Sequence, residues 1–445
     1  MAPRHPNARL RALAHEAGWS GAALARAVNR TGAETGLALR YDRTSVAHWM
    51  AGTRPPGQVA ALVAEALSRA LGRPVTLADA GLEPAPAVAP LPADSPGRAL
   101  AALDTEPARA RPYRLALADP DHLGTGRPSR HGRTSHDGGV PVTRAHVRSA
   151  QAMLHTFTSV DAAFGGGHSR TALTGFLGNS VADWLNAPAP PRTRHELLLC
   201  ASRLTCLAGL MCYDDEQQGT AQGYYLTAVG LAVEADDAPG HATALRALSA
   251  QAHDLGHREQ ALRLAEAAAA HALRLPATHA AAVLGQLAVA AAGQGDHRRA
   301  LSVLDHSAEL LGRPDEDGPG AESPDYHAAA HEHQHAEVRV ALGDSAGAVA
   351  ALRRSLRVHP PGERRARAVV TARLAELLLD GGSLEQACTA WHGFLDDYPL
   401  LRSGRADRAL RALRSRLQPF RGSAAARGVL ARTDSLRRPP APALC

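Results

Sequence analysis

Apolar positions recur at three- and four-residue spacing in two long zones of the chain and lose that period between them. This is the mark of amphipathic helices. In the first zone, residues 1–83, the spacing predicts five short helices. The first covers Asn7–Ala17, with Leu10 and Leu13 inward. Ser20 caps a second, Gly21–Asn29, whose stripe includes Leu24 and Val28. A long turn, Thr31–Leu39, follows. Asp42 caps a third helix, Arg43–Ala51, which Gly52 stops and Pro55-Pro56 prevents from continuing. A fourth spans Gln58–Leu71, and Thr76 caps a fifth that ends near Gly81. On the third helix Val46, Trp49 and Met50 share one face. Arg43, Thr44, Ala47, His48 and Ala51 fall largely on the other, with Ser45 flanking.

Residues 84–143 contain EPAPAVAPLPADSPG and a Gly/Arg/His/Ser-rich stretch without a sustained period. Such composition buries too little apolar surface to offset its ordering entropy, so a disordered linker is expected, with Arg111–Ala118 able to hold a short element. Residues 144–435 restore the helical period, and residues 436–445 form a Pro-containing tail. Within this zone a glycine followed five residues later by alanine recurs at Gly256/Ala261, Gly295/Ala300, Gly343/Ala348 and Gly382/Ala387, with glycine spacings of 39, 48 and 39 residues. Glycine supplies the left-handed conformation that stops one helix. The alanine lets the next approach closely, the logic of a helical-repeat solenoid. A degenerate pair at about 195–234 precedes these, and excess length falls in loops such as Pro314–Pro324. At Leu255-Gly256-His257-Arg258-Glu259-Gln260-Ala261-Leu262 and Leu342-Gly343-Asp344 the sequence resembles tetratricopeptide repeats, with a longer period than their usual ~34 residues.

Composition narrows the chemistry. Aromatics make up 4% of the 445 residues, so the core is built from Ala, Leu and Val, and an all-α fold is expected. All 49 basic residues are Arg. The absence of Lys excludes Schiff-base chemistry, a phosphate-loop lysine and a kinase lysine. Cys200, Cys206 and Cys212 recur every six residues, turning about 240° per step on a helix, so they do not converge on a metal. Neither an N-terminal signal region nor a run of 18 apolar residues is visible, which points to a cytoplasmic chain without a membrane span.

Net charge is +6 over the chain, and residues 1–57 carry +5: eight Arg against Glu16, Glu34 and Asp42. On the third helix, Arg43, Thr44, Ser45, Ala47 and His48 offer one cation, hydroxyls, a small residue and an imidazole near the helix start, which suits base reading in a major groove. Arg40, Arg43 and Arg54 flank it and are placed to pair with phosphates. Thr44-Ser45-Val46-Ala47-His48-Trp49-Met50-Ala51-Gly52-Thr53-Arg54-Pro55-Pro56 resembles the third helix and following loop of lambda-repressor-like helix-turn-helix domains. The resemblance implies that Val46 and Trp49 are core and that the start of the helix reads bases. The connection before this helix is longer than the family's turn.

A further resemblance spans both folded zones. Gly18-Trp19-Ser20, Leu39-Arg40-Tyr41-Asp42-Arg43-Thr44-Ser45-Val46 and Phe157-Thr158-Ser159-Val160-Asp161-Ala162-Ala163-Phe164-Gly165-Gly166-Gly167-His168-Ser169-Arg170 look like an actinobacterial regulator family. Its members join a helix-turn-helix to tetratricopeptide-like repeats and are implicated in sporulation and secondary-metabolite control. The resemblance implies a transcriptional regulator that binds double-stranded DNA, and a helix-turn-helix of this kind is expected to work as a homodimer. The repeats would take a peptide, protein or small effector. The alternative is an adaptor scaffold that does not bind DNA.

Other motifs read as structure. Gly165-Gly166-Gly167 lacks the residues of a phosphate loop and reads as a tight turn between helices. His331-Glu332-His333-Gln334-His335 matches the HExxH pattern of zinc hydrolases but has no third ligand at useful spacing, and it reads as the first helix of a repeat with a chance match; adventitious metal binding by His327, His331 and His335 ranks above a catalytic zinc. Asp214-Asp215-Glu216 is expected to start a helix, Asp396-Asp397 to lie in a solvated loop, and Arg402–Arg416 to form an amphipathic capping helix with Leu410, Leu413 and Leu417 on one side. No enzymatic activity, cofactor or metal centre is assigned.

Overall fold

The computed structural model describes residues 6–35, 37–82, 96–105, 111–120, 123, 141–312 and 326–436. The fold is all-α, with no strand among the described residues. Loop Pro314–Pro324 and the tail beyond residue 436 lie outside them. The chain divides into two compact units on lines other than the expected ones. Unit 1 combines Met1–Leu154 with Arg170–Ala267; unit 2 combines His155–Ser169 with Ala268–Cys445. The division therefore cuts the zone 144–435 that the sequence pattern joins.

Unit 1 begins with α1 (Ala8–Glu16), α2 (Gly21–Glu34), α3 (Arg43–Met50) and α4 (Gly57–Leu71). They close around Leu10, Leu24, Val28, Val46, Trp49, Leu62, Val63 and Leu67, all buried. α2 runs past its expected end at Asn29 because Thr31 and Gly32 still face the core. The Thr31 hydroxyl also donates to the Ala27 carbonyl one turn back (3.1 Å). The expected fifth helix is instead a turn: Thr76 and Asp79 exchange side-chain to backbone hydrogen bonds of 2.9 and 3.0 Å.

The expected disordered linker is ordered over two stretches. Pro96–Thr105 forms α5, burying Ala99, Leu100 and Leu103. Residues 111–120 form a strap. Tyr113 is fully buried, stacked on the His257 imidazole with centroids 5.4 Å apart. The chain continues as α6 (Arg144–Phe164), α7 (Gly166–Phe176), α8 (Ala182–Asn186), α9 (Pro191–Asp214), α10 (Gln218–Glu234), α11 (Ala238–Asp254) and α12 (Arg258–Ala269), with His155–Ser169 of α6 and α7 and the last two residues of α12 counted in unit 2. The strap crosses α10 at Gly219, where any Cβ would strike the Arg111 carbonyl. Beside it, the Gln222 amide brackets Arg114, accepting from its N–H and donating to its carbonyl, both at 2.8 Å. α10 is buried over most of its length, with Gly230 exposed, so Gly219 and Gln222 serve the strap rather than an open surface.

α9 is long and apolar enough to cross a membrane by length and composition, although no uninterrupted apolar run exists; 72% of its most apolar window is buried within the fold. The Asp214-Asp215-Glu216 run ends α9 rather than starting a helix: Glu216 takes the left-handed conformation (φ 60°), and Asp215 pairs with Arg170 at 3.2 Å.

Unit 2 is built from consecutive helix pairs, α13 (Ala277–Gly293) with α14 (His297–Leu311), α15 (Ala328–Ala341) with α16 (Ser345–Val358), and α17 (Arg364–Asp380) with α18 (Leu384–Asp397), followed by α19 (Gly404–Leu417) and α20 (Ala424–Ser435). The turn glycines Gly295, Gly343 and Gly382 have φ of 86°, 77° and 77°, where a side chain would be strained, and Gly256 in unit 1 has 83°. Ala261, Ala300, Ala348 and Ala387 are each fully buried. The repeat extends to hydrogen bonds. Ser307 donates to the Ala281 carbonyl and Ser355 to Ala329, both at 2.8 Å and each spanning 26 residues. Leu410, Leu413 and Leu417 of α19 face inward, as the capping-helix pattern requires. Asp396-Asp397 closes α18 instead of lying in a loop. Arg367 holds Asp397 at 2.6 Å and Arg432 holds Asp396 at 2.5 Å.

Candidate nucleic-acid interface

The start of α3 is fixed by its cap. The Asp42 carboxylate accepts from the Ser45 amide (2.8 Å) and hydroxyl (2.9 Å), and the Ser45 hydroxyl faces the Asp42 amide in return. These hydrogen bonds from Ser45 hold the Asp42 carboxyl below its ordinary range. The long connection from α2 is pinned at one point: Asn29 of α2 donates to the Tyr41 carbonyl (2.8 Å) and accepts from its amide (3.0 Å). Gly32 makes room for Leu39, whose side chain would collide with a Cβ there. Tyr41 then packs edge-on against Trp49 with centroids 4.9 Å apart. The unusual length of the connection therefore does not leave α3 loose.

With Val46 and Trp49 buried, the opposite face of α3 is open. Arg43, Thr44, Ala47 and His48 are exposed, and so are Arg40 before the helix and Arg54 beyond it. The Arg43 stem lies over the start of α2, 3.5 Å from where a Cβ of Gly21 would stand, so its guanidinium projects from a supported stem. Ser45 differs from the rest: it is half-buried and its hydroxyl is taken by the cap, so it shapes the face rather than extending from it. Arg40, Arg43 and Arg54 have no acidic partner among the described residues. Sequence reasoning passed over Arg26 and Arg30, one turn apart on α2, which are exposed and equally without an acidic partner. Their four-residue spacing was the available signal.

Arg69 and Arg73, by contrast, are committed to acids. Arg69 donates to both Glu34 oxygens (2.7 and 2.8 Å), to Glu65 (2.8 Å) and to the Tyr113 carbonyl (3.0 Å). Glu65 in turn accepts from the Leu115 amide (3.0 Å). The bundle is thus bolted to the strap, and the strap to α10.

The other motifs resolve as structure. In HExxH, Glu332 is gripped by Arg354 at 2.7 and 2.8 Å, so it is no free general base. His331 is buried against the Tyr326 hydroxyl (3.2 Å) and Ser307 (3.3 Å), while His335 accepts from Arg339 (3.1 Å). His327, His331 and His335 therefore do not share a ligand position. The Gly165 turn (φ 84°) is occupied by backbone: Gly167 donates to the Arg402 carbonyl (2.9 Å), and Arg402 donates to the Phe164 carbonyl (2.7 Å). No amide cradle for phosphate remains there. Burial pushes the Cys212 thiol up to about 12, which suits packing and not nucleophilic chemistry.

A family model described as SP15 N-terminal domain matches residues 10–83, the stretch that folds as α1–α4 and the turn after them. No curated protein matches the chain.

Proposed function

We propose that the chain is a DNA-binding transcriptional regulator, with α1–α4 acting as a lambda-repressor-like helix-turn-helix domain. The observation that carries this reading is the exposed face of α3. Arg43, Thr44, Ala47 and His48 stand clear of a buried Val46/Trp49 anchor, and the flanking arginines have no acidic partners among the described residues. Uncompensated guanidinium groups beside a helix start are what a phosphate backbone neutralises. In this reading Arg43, Thr44, Ala47 and His48 read base edges, Arg40 and Arg54 hold phosphates, and Ser45 keeps the helix start in shape. Two copies bind a two-fold site. The protein works in the cytoplasm on the nucleoid, in developmental or secondary-metabolite control.

The helix pairs act as a tetratricopeptide-like solenoid that takes a peptide, protein or small effector. The periodic glycine turns and the Ser307 and Ser355 hydrogen bonds support a true structural repeat. The strap gives the effector signal a route within unit 1, because it is bonded both to Glu65 and Arg69 of the bundle and to Gln222 of α10. A disordered linker would offer none.

The test is capture of genomic DNA fragments by the full-length protein beside an Arg43→Ala/His48→Ala variant. A shared motif that vanishes in the variant supports the reading. No enrichment by either folded protein overturns it in favour of the adaptor scaffold.

A further inference from the structure

We propose that His327, His359 and Glu363 form a binding site for a divalent transition metal, with zinc the ion the donor set suits best. These residues come from two places in unit 2: His359 and Glu363 lie four residues apart in one connection, and His327 lies 32 residues before the first of them. His327 caps the start of α15, His359 follows the end of α16, and Glu363 precedes α17. One ligand atom from each lies within 4.8 Å of the others. His327 Nε2 is 2.9 Å from both Glu363 oxygens, and His359 Nδ1 is 3.5 Å from the nearer one. A tetrahedral zinc with bonds of about 2.0–2.1 Å needs donors roughly 3.3 Å apart, so small side-chain adjustments bring all three to the ion. Two imidazoles and a carboxylate are borderline-soft and hard donors together, a set that favours zinc over magnesium or calcium.

A second observation points the same way. The His359 side chain is 4% exposed, and its Nδ1 is buried without a hydrogen-bond partner. A ring nitrogen so placed loses its water and has in exchange only the Glu363 oxygen at 3.5 Å, longer than a good hydrogen bond, which leaves its lone pair open to an ion. Arg365 is turned to Asp161 (3.0 Å) and Arg367 to Asp397 (2.6 Å). His327 and Glu363 keep 29% and 24% of their side chains exposed, which leaves an approach from solvent and a fourth position for water.

The metal-free geometry fits a proton standing where the ion would go. His327 Nδ1 accepts from the Ala329 amide at 3.2 Å, so the neutral ring carries its proton on Nε2, aimed at Glu363. Loading moves that proton to Nδ1 and frees Nε2 for the metal. The weak cap bond to Ala329 is released in exchange for a metal–nitrogen bond. The site would join the start of α15 to the α16–α17 connection, and it is independent of DNA reading.

Metal-stripped full-length protein titrated with Zn²⁺, and in parallel with Co²⁺, tests this. One equivalent is expected, with the intense visible bands of tetrahedral Co²⁺ and a rise in Tm. Glu363→Gln, which keeps the size of the side chain, and His359→Ala should each weaken binding by at least ~100-fold, beyond what loss of an outer-shell partner does. His331→Ala should leave it unchanged. Should His359→Ala not fold by circular dichroism, Glu363→Gln is decisive alone. Absence of a stoichiometric equivalent overturns the proposal. So does an equivalent that survives Glu363→Gln, or one that is lost in His331→Ala.

Discussion

The arginines around α3 and four of those on α15–α17 are treated in opposite ways. Around α3, Arg40, Arg43 and Arg54 are exposed and have no acidic partner among the described residues. Along α15–α17, Arg339 meets Asp344 at 3.0 Å, Arg354 meets Glu332 at 2.7 Å, Arg367 meets Asp397 at 2.6 Å and Arg373 meets Glu337 at 2.9 Å. The same residue type serves cohesion in one region and is left available in the other. A closed pair contributes to the fold; an open cation on a supported helix is free to bind an external anion. The HExxH run shows the difference best. Its spacing is that of a metalloprotease, yet Arg354 has closed its glutamate.

The comparison extends inside the bundle, where the largest effect is expected. Arg69 and Glu34 each have 16% of their side chains exposed, and Glu65 has 5%. Arg69→Ala takes the shared cation from two carboxylates in a buried setting, leaving Glu34 with His257 alone, and detaches the Tyr113 carbonyl. Loss of one partner from a buried pair costs about 3–5 kcal/mol. Burial already pushes the Glu65 carboxyl up against the opposing pull of Arg69, so protonation of Glu65 in the variant holds the loss near the lower bound. Urea unfolding should show it as a drop in midpoint. A drop no greater than that of an exposed pair would mean that the bolt between bundle and strap carries little.

Arg43→Ala should do the reverse. With an exposed guanidinium and no partner, its effect on stability should stay within about 0.5 kcal/mol. Affinity for a captured operator should fall by roughly tenfold or more, the loss of about 1–3 kcal/mol expected of a base- or phosphate-contacting arginine. Fluorescence anisotropy at two salt concentrations separates the roles: a phosphate contact shallows the salt slope. Equal loss of stability in Arg43→Ala and Arg69→Ala would erase the distinction between open and closed arginines.

A third substitution probes the closed pairs at the surface. Arg354 keeps 40% of its side chain exposed, so Arg354→Ala should lower stability by less than about 1 kcal/mol. It also frees Glu332 beside His331 and His335. Hydrolase activity appearing in this variant would show that the arginine alone had silenced the motif. We expect none, because the Tyr326 and Ser307 contacts still hold His331.

These contrasts were legible in the sequence to different depths. The α3 face followed from Val46 and Trp49 three residues apart, and the repeat turns from glycines that only a left-handed backbone requires. Both are local signals. The strap was legible only as a short element at Arg111–Ala118, and what anchors it was not. Leu100 and Leu103 of α5 and Tyr113 of the strap are too few and too irregular to show a period, and they are buried only against distant parts of the unit, Leu103 on Gly223 and Tyr113 on His257. Gly219 in the first turn of α10 was the trace the strap left, and Gly223 one turn on the trace of Leu103. His359 and Glu363 were missed for a similar reason. They lie 32 and 36 residues beyond His327, and helix pairing brings them together. A reading by spacing chose His331 and His335, one turn apart on the same helix as each other but turned to different neighbours.

The smallest effect belongs to Asp42, the one acid between residues 35 and 57, and it links the cap to the open face. Its carboxyl is held below its ordinary value by the Ser45 amide and hydroxyl. A carboxyl depressed in the folded state adds stability that is fully present above the unfolded value of about 4, and that stability is lost as pH falls through the folded value. Asp42→Asn keeps an acceptor for the Ser45 amide but removes the charge, and with it the pH dependence. Melting the wild type and the variant at pH 7 and again near pH 3 should therefore show a gap that narrows in acid. A gap that stays constant would mean that the charge of Asp42 contributes nothing to the cap. The same substitution removes the nearest negative charge from beside Arg40 and Arg43, so non-specific DNA affinity should rise slightly in low salt and the rise should disappear in high salt. An acid that were merely decorative would change neither measurement; an acid that both caps α3 and tempers its surface charge changes the two in opposite directions.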